Sequence, residues 1–353
     1  MKHRVDRLLD ALPGLGAEAI VVHKPQNIRY LTGFTGEGYA YFSPSAQVIV
    51  TDSRYTEQAH RQSEGFDILE RGFDGFMSTL ASLADTTATL AYEDDHLTVA
   101  ELRGIEQALQ GRALVSAQGI VAKLREIKDE AEIAALKRAC EITDAVFARA
   151  LDIARPGITE KDLVTELIYD MARRFKAGPS FDFIVAAGEN GSMPHAVPSE
   201  RVMRQGDMVT LDFGAEYQGY KADMTRTFAL GRPSDTLQEV YNIVREAQAK
   251  AAEALRPGAD CRAVDAVARD LIAAYGYGGN FGHGLGHSLG LEIHESPRLS
   301  AKSTATLQSG MAITVEPGIY LPGVGGVRIE DTCLITDTGW VSLFKSDKNL
   351  IIL

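Results

Sequence analysis

The sequence predicts an α+β protein: a smaller mixed α/β domain over residues 1-123, then a larger domain over 124-353 built from two similar halves about a pseudo-twofold axis. Three observations predict it. Short apolar runs alternating with helical stretches give way to long helices near Ala122–Glu126. A helix, the tripeptide Arg-Pro-Gly and a second amphipathic helix then occur twice, with the tripeptides at Arg155 and Arg256, 101 residues apart. Each copy is followed by a glycine-punctuated, strand-rich region that carries two carboxylates, and internal similarity of this kind places a site between the halves.

Taken in order, Val5, Leu8, Leu9 and Leu12 recur at helical spacing and predict a surface helix with one buried stripe. No apolar run precedes a cleavage-type segment, so this is not read as a secretory signal. Ala19–Val22 and Gln47–Thr51 predict strands, and Arg54–Gln62 a helix. Asp129 predicts the cap of a long helix running through Glu132, Leu136, Cys140 and Val146 to about Ala154, where Arg155-Pro156-Gly157 stops it. No stretch has the length and apolarity of a membrane span. With 36 basic and 48 acidic side chains the net charge is −12, which argues against a nucleic-acid or anionic-membrane surface. Cys140, Cys261 and Cys333 are odd in number and widely spaced, so a reducing compartment, the cytoplasm, is expected.

The carboxylates carry the functional expectation. A hairpin turning at Glu216–Gly219 is predicted to set Asp212 opposite Asp223, and a loop over Pro322–Gly326 to set Glu316 opposite Glu330. Val209, Leu211 and Phe213, and Ile313, Val315 and Ile319, give their surroundings the composition of buried strands. Like-charged carboxylates facing each other there repel and lose hydration unless a proton or a cation sits between them. Two such pairs point to a divalent-metal site. The segment GHGLGHSLGLEIHE, residues 282–295, adds three of the chain's eight histidines, with glycines that let backbone approach the metals.

These residues resemble the pita-bread metallopeptidases, and among them the Xaa-Pro peptidases (proline dipeptidase and aminopeptidase P). The matching segments are MPHAVPSER (193–201), LDFGAEYQGYKADMTRTF (211–228), GHGLGHSLGLEIHE and TVEPGIYLPGVGGVRIEDT (314–332), in the family's order and spacing. The first 123 residues look like the family's creatinase-like leading domain. The resemblance implies five metal ligands, Asp212, Asp223, His287, Glu316 and Glu330, with Asp223 and Glu330 bridging two ions. One nitrogen among carboxylate oxygens suits manganese(II), with cobalt(II) or zinc(II) as substitutes. Two such ions would activate a shared water near neutral pH and polarise the scissile carbonyl. Glu316 is then expected to move a proton towards the leaving nitrogen, and His294 to stabilise the developing oxyanion. His195 would hold the substrate backbone, His283 would line the proline side, and Arg328 would steady its neighbours by charge-assisted hydrogen bonds.

The expected substrate is a small peptide with proline in second position. Its scissile nitrogen has no hydrogen, so the site must read the ring's shape. Arg298, Arg29 and Arg54 are candidate partners for the proline carboxylate of a dipeptide. Chain length and Arg298 favour the dipeptidase, with aminopeptidase P, acting on longer peptides, as the alternative. Methionine aminopeptidase fits the ligands but leaves the leading domain unexplained. Creatinase does not need these carboxylates, and a non-catalytic binding protein would be expected to lose ligands. A homodimer is expected from the family.

Overall fold

A computed structural model describes residues 2–72 and 75–353, which divide into two compact units, Met1–Arg125 and Glu126–Leu353. In the first unit α1 (Lys2–Ala11) buries Val5 and Leu8 and leaves its charged face in water, the stripe predicted above. It precedes β1 (Ala19–Val22), α2 (Pro25–Thr32), β2 (Tyr39–Ser43), β3 (Ala46–Thr51), α3 (Thr56–Gln62) and β4 (Asp67–Glu70). Then follow α4 (Phe76–Leu83), β5 (Thr89–Tyr92), α5 (Val99–Ala108), β6 (Ala113–Ser116) and α6 (Ile120–Arg125). The six strands form one mixed sheet in the order β4-β3-β2-β1-β5-β6. β1 is buried along its whole length, which is why Ala-Ile-Val-Val shows no polar alternation.

His23 directly follows β1 and stacks on Tyr39, with no hydrogen-bond partner for its Nδ1 among the described residues. Burial lowers its pKa from the ordinary 6.5 to about 4. The folded state then binds fewer protons than the unfolded chain between those values. The stability this group contributes is full above about pH 6.5 and is lost as the pH falls towards 4. Replacing His23 with Phe, which keeps the stacked ring, is expected to flatten the decline of the melting temperature between pH 6.5 and 4; an unaltered slope would remove His23 as its source.

The second unit opens with α7 (Glu130–Ile153). Asp129 caps it in a capping box, its carboxylate accepting the Glu132 N–H, and the helix stops ahead of Arg-Pro-Gly as the sequence predicts. Next come α8 (Glu160–Asp170), β7 (Gly178–Pro179), β8 (Ile184–Ala187), β9 (Met208–Phe213), β10 (Ala215–Tyr217), β11 (Tyr220–Lys221) and β12 (Met224–Ala229). The second half repeats the plan with α9 (Asp235–Glu253), α10 (Cys261–Ala274), β13 (Gly286–Ser288), β14 (Glu295–Leu299) and β15 (Ala312–Val315). It ends with β16 (Gly318–Leu321), β17 (Gly325–Arg328), β18 (Asp331–Thr336) and β19 (Gly339–Ser342).

The duplication is physical as well as sequential. Gly157 and Gly258, the third residues of the two tripeptides, both turn at positive φ, 99° and 84°. Each donates its N–H to a carbonyl ahead of the following strand region, Met203 or Leu307. Thr159 and Asp260 then cap the second helices. One apolar cluster joins α7 and α8 to β8, β9 and β12, and the other joins α9 and α10 to β15, β17 and β18. Between the halves, the Glu330 N–H donates to the Thr225 carbonyl and the Thr332 hydroxyl to the Asp223 carbonyl. Those contacts bring the carboxylate-bearing strands side by side.

Candidate active site

The first carboxylate pair sits differently from the expected register. The hairpin turns on two residues, Gln218 and Gly219, both in the left-handed region at φ 48° and 80°, with Tyr217 opposite Tyr220. That turn is one residue further along than the predicted centre. Asp212 therefore faces Thr225, and Asp223 lies just ahead of β12. Since side chains alternate along a strand, Asp223 shares the face of Thr225 and is a diagonal neighbour of Asp212. The second pair follows the expected register. Val315 faces Asp331 and Gly318 faces Arg328, which sets Glu316 across from Glu330 where one ribbon passes into the next.

Within the 282–295 segment, Gly286 serves strand packing. A Cβ on Gly286 would lie 1.9 Å from the Thr314 carbonyl oxygen, so only glycine lets β13 approach β15 this closely. His287 lies within β13 opposite Arg298 of β14, and the intervening turn brings the His294 ring within 4.5 Å of the His287 ring, edge to face. His287 Nδ1 lies 3.1 Å from the Ser288 carbonyl, an acceptor only, so Nδ1 carries a hydrogen and Nε2 is the nitrogen turned to the cluster. Nε2 points at the carboxylates, 3.3 Å from Glu316 and 3.5 Å from Asp223.

Ligand atoms of Asp223, His287 and Glu330 lie within 4.8 Å of one another. Two further features fit a cation: Asp212 Oδ1 and Glu330 Oε1 are buried acceptors without a hydrogen-bond partner among the described residues. Burial, then the charges of neighbouring carboxylates, drives the Asp223 and Glu330 carboxyls well above their ordinary range. Burial pushes Glu316 the same way, but the hydrogen bond and charge of His287 outweigh it and hold this carboxyl at about 2. Left to themselves the four carboxylates cannot all ionise. Divalent charge between them removes that conflict.

Around this cluster the polar atoms are tied down. Arg328 donates to Asp212 Oδ2 at 2.7 Å, to the Thr225 hydroxyl at 3.0 Å and to the Tyr320 hydroxyl at 2.9 Å. Burial disfavours its charge, yet Tyr320 and Asp212 beside it hold the guanidinium firmly protonated. Thr225 donates in turn from its hydroxyl to Glu330 Oε2 at 2.6 Å, and Thr314 donates to Glu316 Oε1 at 3.0 Å. His283 Nδ1 lies 2.8 Å from the Gly284 carbonyl, which leaves Nε2 to accept from Tyr320 at 2.9 Å. Burial lowers the pKa of His283, and that of His294 falls through burial and the neighbouring His287, so both rings are favoured neutral.

Most of these groups, though not Thr225 or Thr314, line a cavity of about 350 Å³ together with His195, Arg298, Phe181, Ile184, Ile293 and Leu299. Asp212, Asp223, His283, His287, His294, Glu316, Arg328 and Glu330 are thus all brought to one wall system, with His195 and Arg298 on its exposed side. Arg29 and Arg54 belong to the first unit and are not among the lining residues. Arg54 is ion-paired there with Asp52 and Glu37. Sequence reasoning missed Tyr320, Thr225 and Thr314. Thr225 was legible, because a residue two after Asp223 on one strand face meets the same neighbours, whereas Tyr320 reaches the site only through the fold of the β16–β17 ribbon.

The family model of the creatinase/prolidase N-terminal domain matches residues 4–127, and that of metallopeptidase family M24 matches residues 134–337. An uncharacterized peptidase of Bacillus subtilis, YqhT, is 43% identical across 99% of this chain and 100% of its own length. The structure of an Xaa-Pro dipeptidase from Bacillus anthracis superposes with a TM-score of 0.97 at 42% identity, covering 100% of this chain and 99% of the other. That of an X-Pro aminopeptidase from Thermotoga maritima does so at 0.91 and 34% identity, covering 99% and 100%. With the ligand cluster, the cavity and both domain matches in agreement, the chain belongs to metallopeptidase family M24.

Proposed function

We propose that the protein is a dinuclear metal-dependent Xaa-Pro dipeptidase (prolidase). The observation that carries the substrate assignment is Arg298, a guanidinium on the cavity wall with no ion-pair partner among the described residues. A dipeptide's free proline carboxylate supplies that partner. Asp212, Asp223, His287, Glu316 and Glu330 would hold two divalent ions, manganese(II) first, with cobalt(II) or zinc(II) as substitutes. When bound, the ions supply a water of lowered pKa and polarise the scissile carbonyl.

The chain's own groups do the rest. Glu316, held on one oxygen by Thr314, takes a proton from the attacking water and delivers it to the proline nitrogen, which needs one to leave. His294 donates to the oxyanion as the carbonyl becomes tetrahedral. His195 holds the substrate backbone at the open side, and His283, fixed by Tyr320, shapes the proline end. Arg328 keeps Asp212 oriented. Phe181, Ile184, Ile293 and Leu299 give the apolar surface that reads a ring lacking an N–H. The buried free cysteines suit a reducing compartment, in keeping with a cytoplasmic enzyme.

The test compares an Xaa-Pro dipeptide with an Xaa-Pro-Yaa tripeptide in one assay with added manganese. The dipeptide is expected to be cleaved faster. Arg298→Met is expected to lower its kcat/KM roughly 30- to 150-fold, the scale of a lost charge-assisted contact, and to spare the tripeptide. Faster cleavage of the tripeptide by the unmodified protein, or an intact dipeptide rate in Arg298→Met, would move the assignment to aminopeptidase P. The similarity to the Thermotoga enzyme keeps that second reading in play.

A further inference from the structure

We propose that Glu160 is a positioning residue for His195, setting the loop through which the site holds its substrate. The inference rests on the substrate-holding role given to His195 above. His195 sits on an exposed loop at the cavity rim, and its ring makes no hydrogen bond among the described residues. Its place is therefore set by the loop alone.

The ends of the loop are tied by the Arg201–Glu189 ion pair and by Glu160. Glu160 is the first residue of α8, and its side chain is fully buried. It has no ion pair among the described residues, and the helix start is already satisfied by the capping box of Thr159 and Asp162. A buried carboxylate in that position is costly unless hydrogen bonds replace its water. The replacements all come from the loop. Oε1 accepts from the Ala187 N–H at 2.8 Å and the Asn190 amide at 3.0 Å. Oε2 accepts from the Ser199 N–H at 2.9 Å, the Ser199 hydroxyl at 2.7 Å and the Asn190 amide at 3.2 Å.

Those donors lie on both sides of His195, at 187 and 190 before it and at 199 after it, so one carboxylate closes the loop at its two ends. The segment between them is short and self-turned, with the Met193 N–H on the Asn190 carbonyl and the Ala196 N–H on the Met193 carbonyl. Pro194, next to His195, offers its carbonyl to Arg328 at 3.2 Å. The position of His195 relative to the cluster is thus set by Glu160 behind and Arg328 in front, together with the Arg201–Glu189 pair across the loop ends. Small misplacements of a substrate-holding group are expensive, because its contribution depends on distance and angle.

Glu160→Gln tests this. It keeps shape and burial but turns one acceptor oxygen into an NH2 group that faces N–H and O–H donors. On an Xaa-Pro dipeptide its KM is expected to rise roughly tenfold, with kcat within about threefold of the parent and metal content unchanged. His195→Ala should show the same KM-selective change, and the double variant should be no worse than His195→Ala alone. Should Glu160→Gln prove unstable, Ser199→Ala keeps the carboxylate, loses one donor and should raise KM about threefold. A normal KM in Glu160→Gln or in Ser199→Ala, or full additivity with His195→Ala, overturns the inference while leaving the site assignment standing. A normal KM in His195→Ala itself overturns the role of His195, and this inference with it.

Discussion

Asp223→Ala and Glu330→Ala are each expected to abolish activity and to purify with less than two equivalents of metal under conditions that fill the parent enzyme. Both side chains are buried in the centre of the cluster, and each lies within reach of His287. Removing either one takes away an acceptor proposed to serve both ions. It also lessens the like-charge conflict that makes divalent charge favourable there. The two effects act in the same direction on binding. Metal analysis with an activity assay decides the matter: two full equivalents in either variant would end the bridging assignment.

His294→Ala is expected to lower kcat about 10²-fold or more while metal content persists, the scale found when one oxyanion donor is lost. The ring stands against that of His287, and His294 is exposed on the cavity wall, a place from which it would meet substrate. A group acting on the transition state lowers kcat. One that only places substrate raises KM at constant kcat, and that result would reassign His294 to binding.

Much of this site was legible in the sequence because its elements are governed by local rules. The Asp129 cap, the Arg-Pro-Gly stops and the buried strand β1 follow from capping, backbone restriction and apolar runs. The Glu316–Glu330 pairing came out because turn length and strand parity fix it. The Asp212–Asp223 register failed by one step of the turn, where Gln218, a residue seldom found at positive φ, takes the left-handed conformation with Gly219. Side-chain contacts between separate elements were harder to read. Tyr320 on Arg328 and Glu160 on the His195 loop join residues from different elements, and no local pattern encodes them.

The division of the proposed ligands between the two halves has a consequence for the life of the protein. Asp212 and Asp223 come from the first repeat and His287, Glu316 and Glu330 from the second, so an unfolded chain does not present the set together. Ligands that exist only in the native state make the ion a thermodynamic clasp. Free metal at one hundred times its dissociation constant would add about 2.7 kcal/mol to the stability of the second unit. Withdrawing metal would then silence the enzyme and also loosen the fold that proteases must open. Scarcity of the ion would shorten the protein's lifetime, coupling its abundance to the supply it depends on.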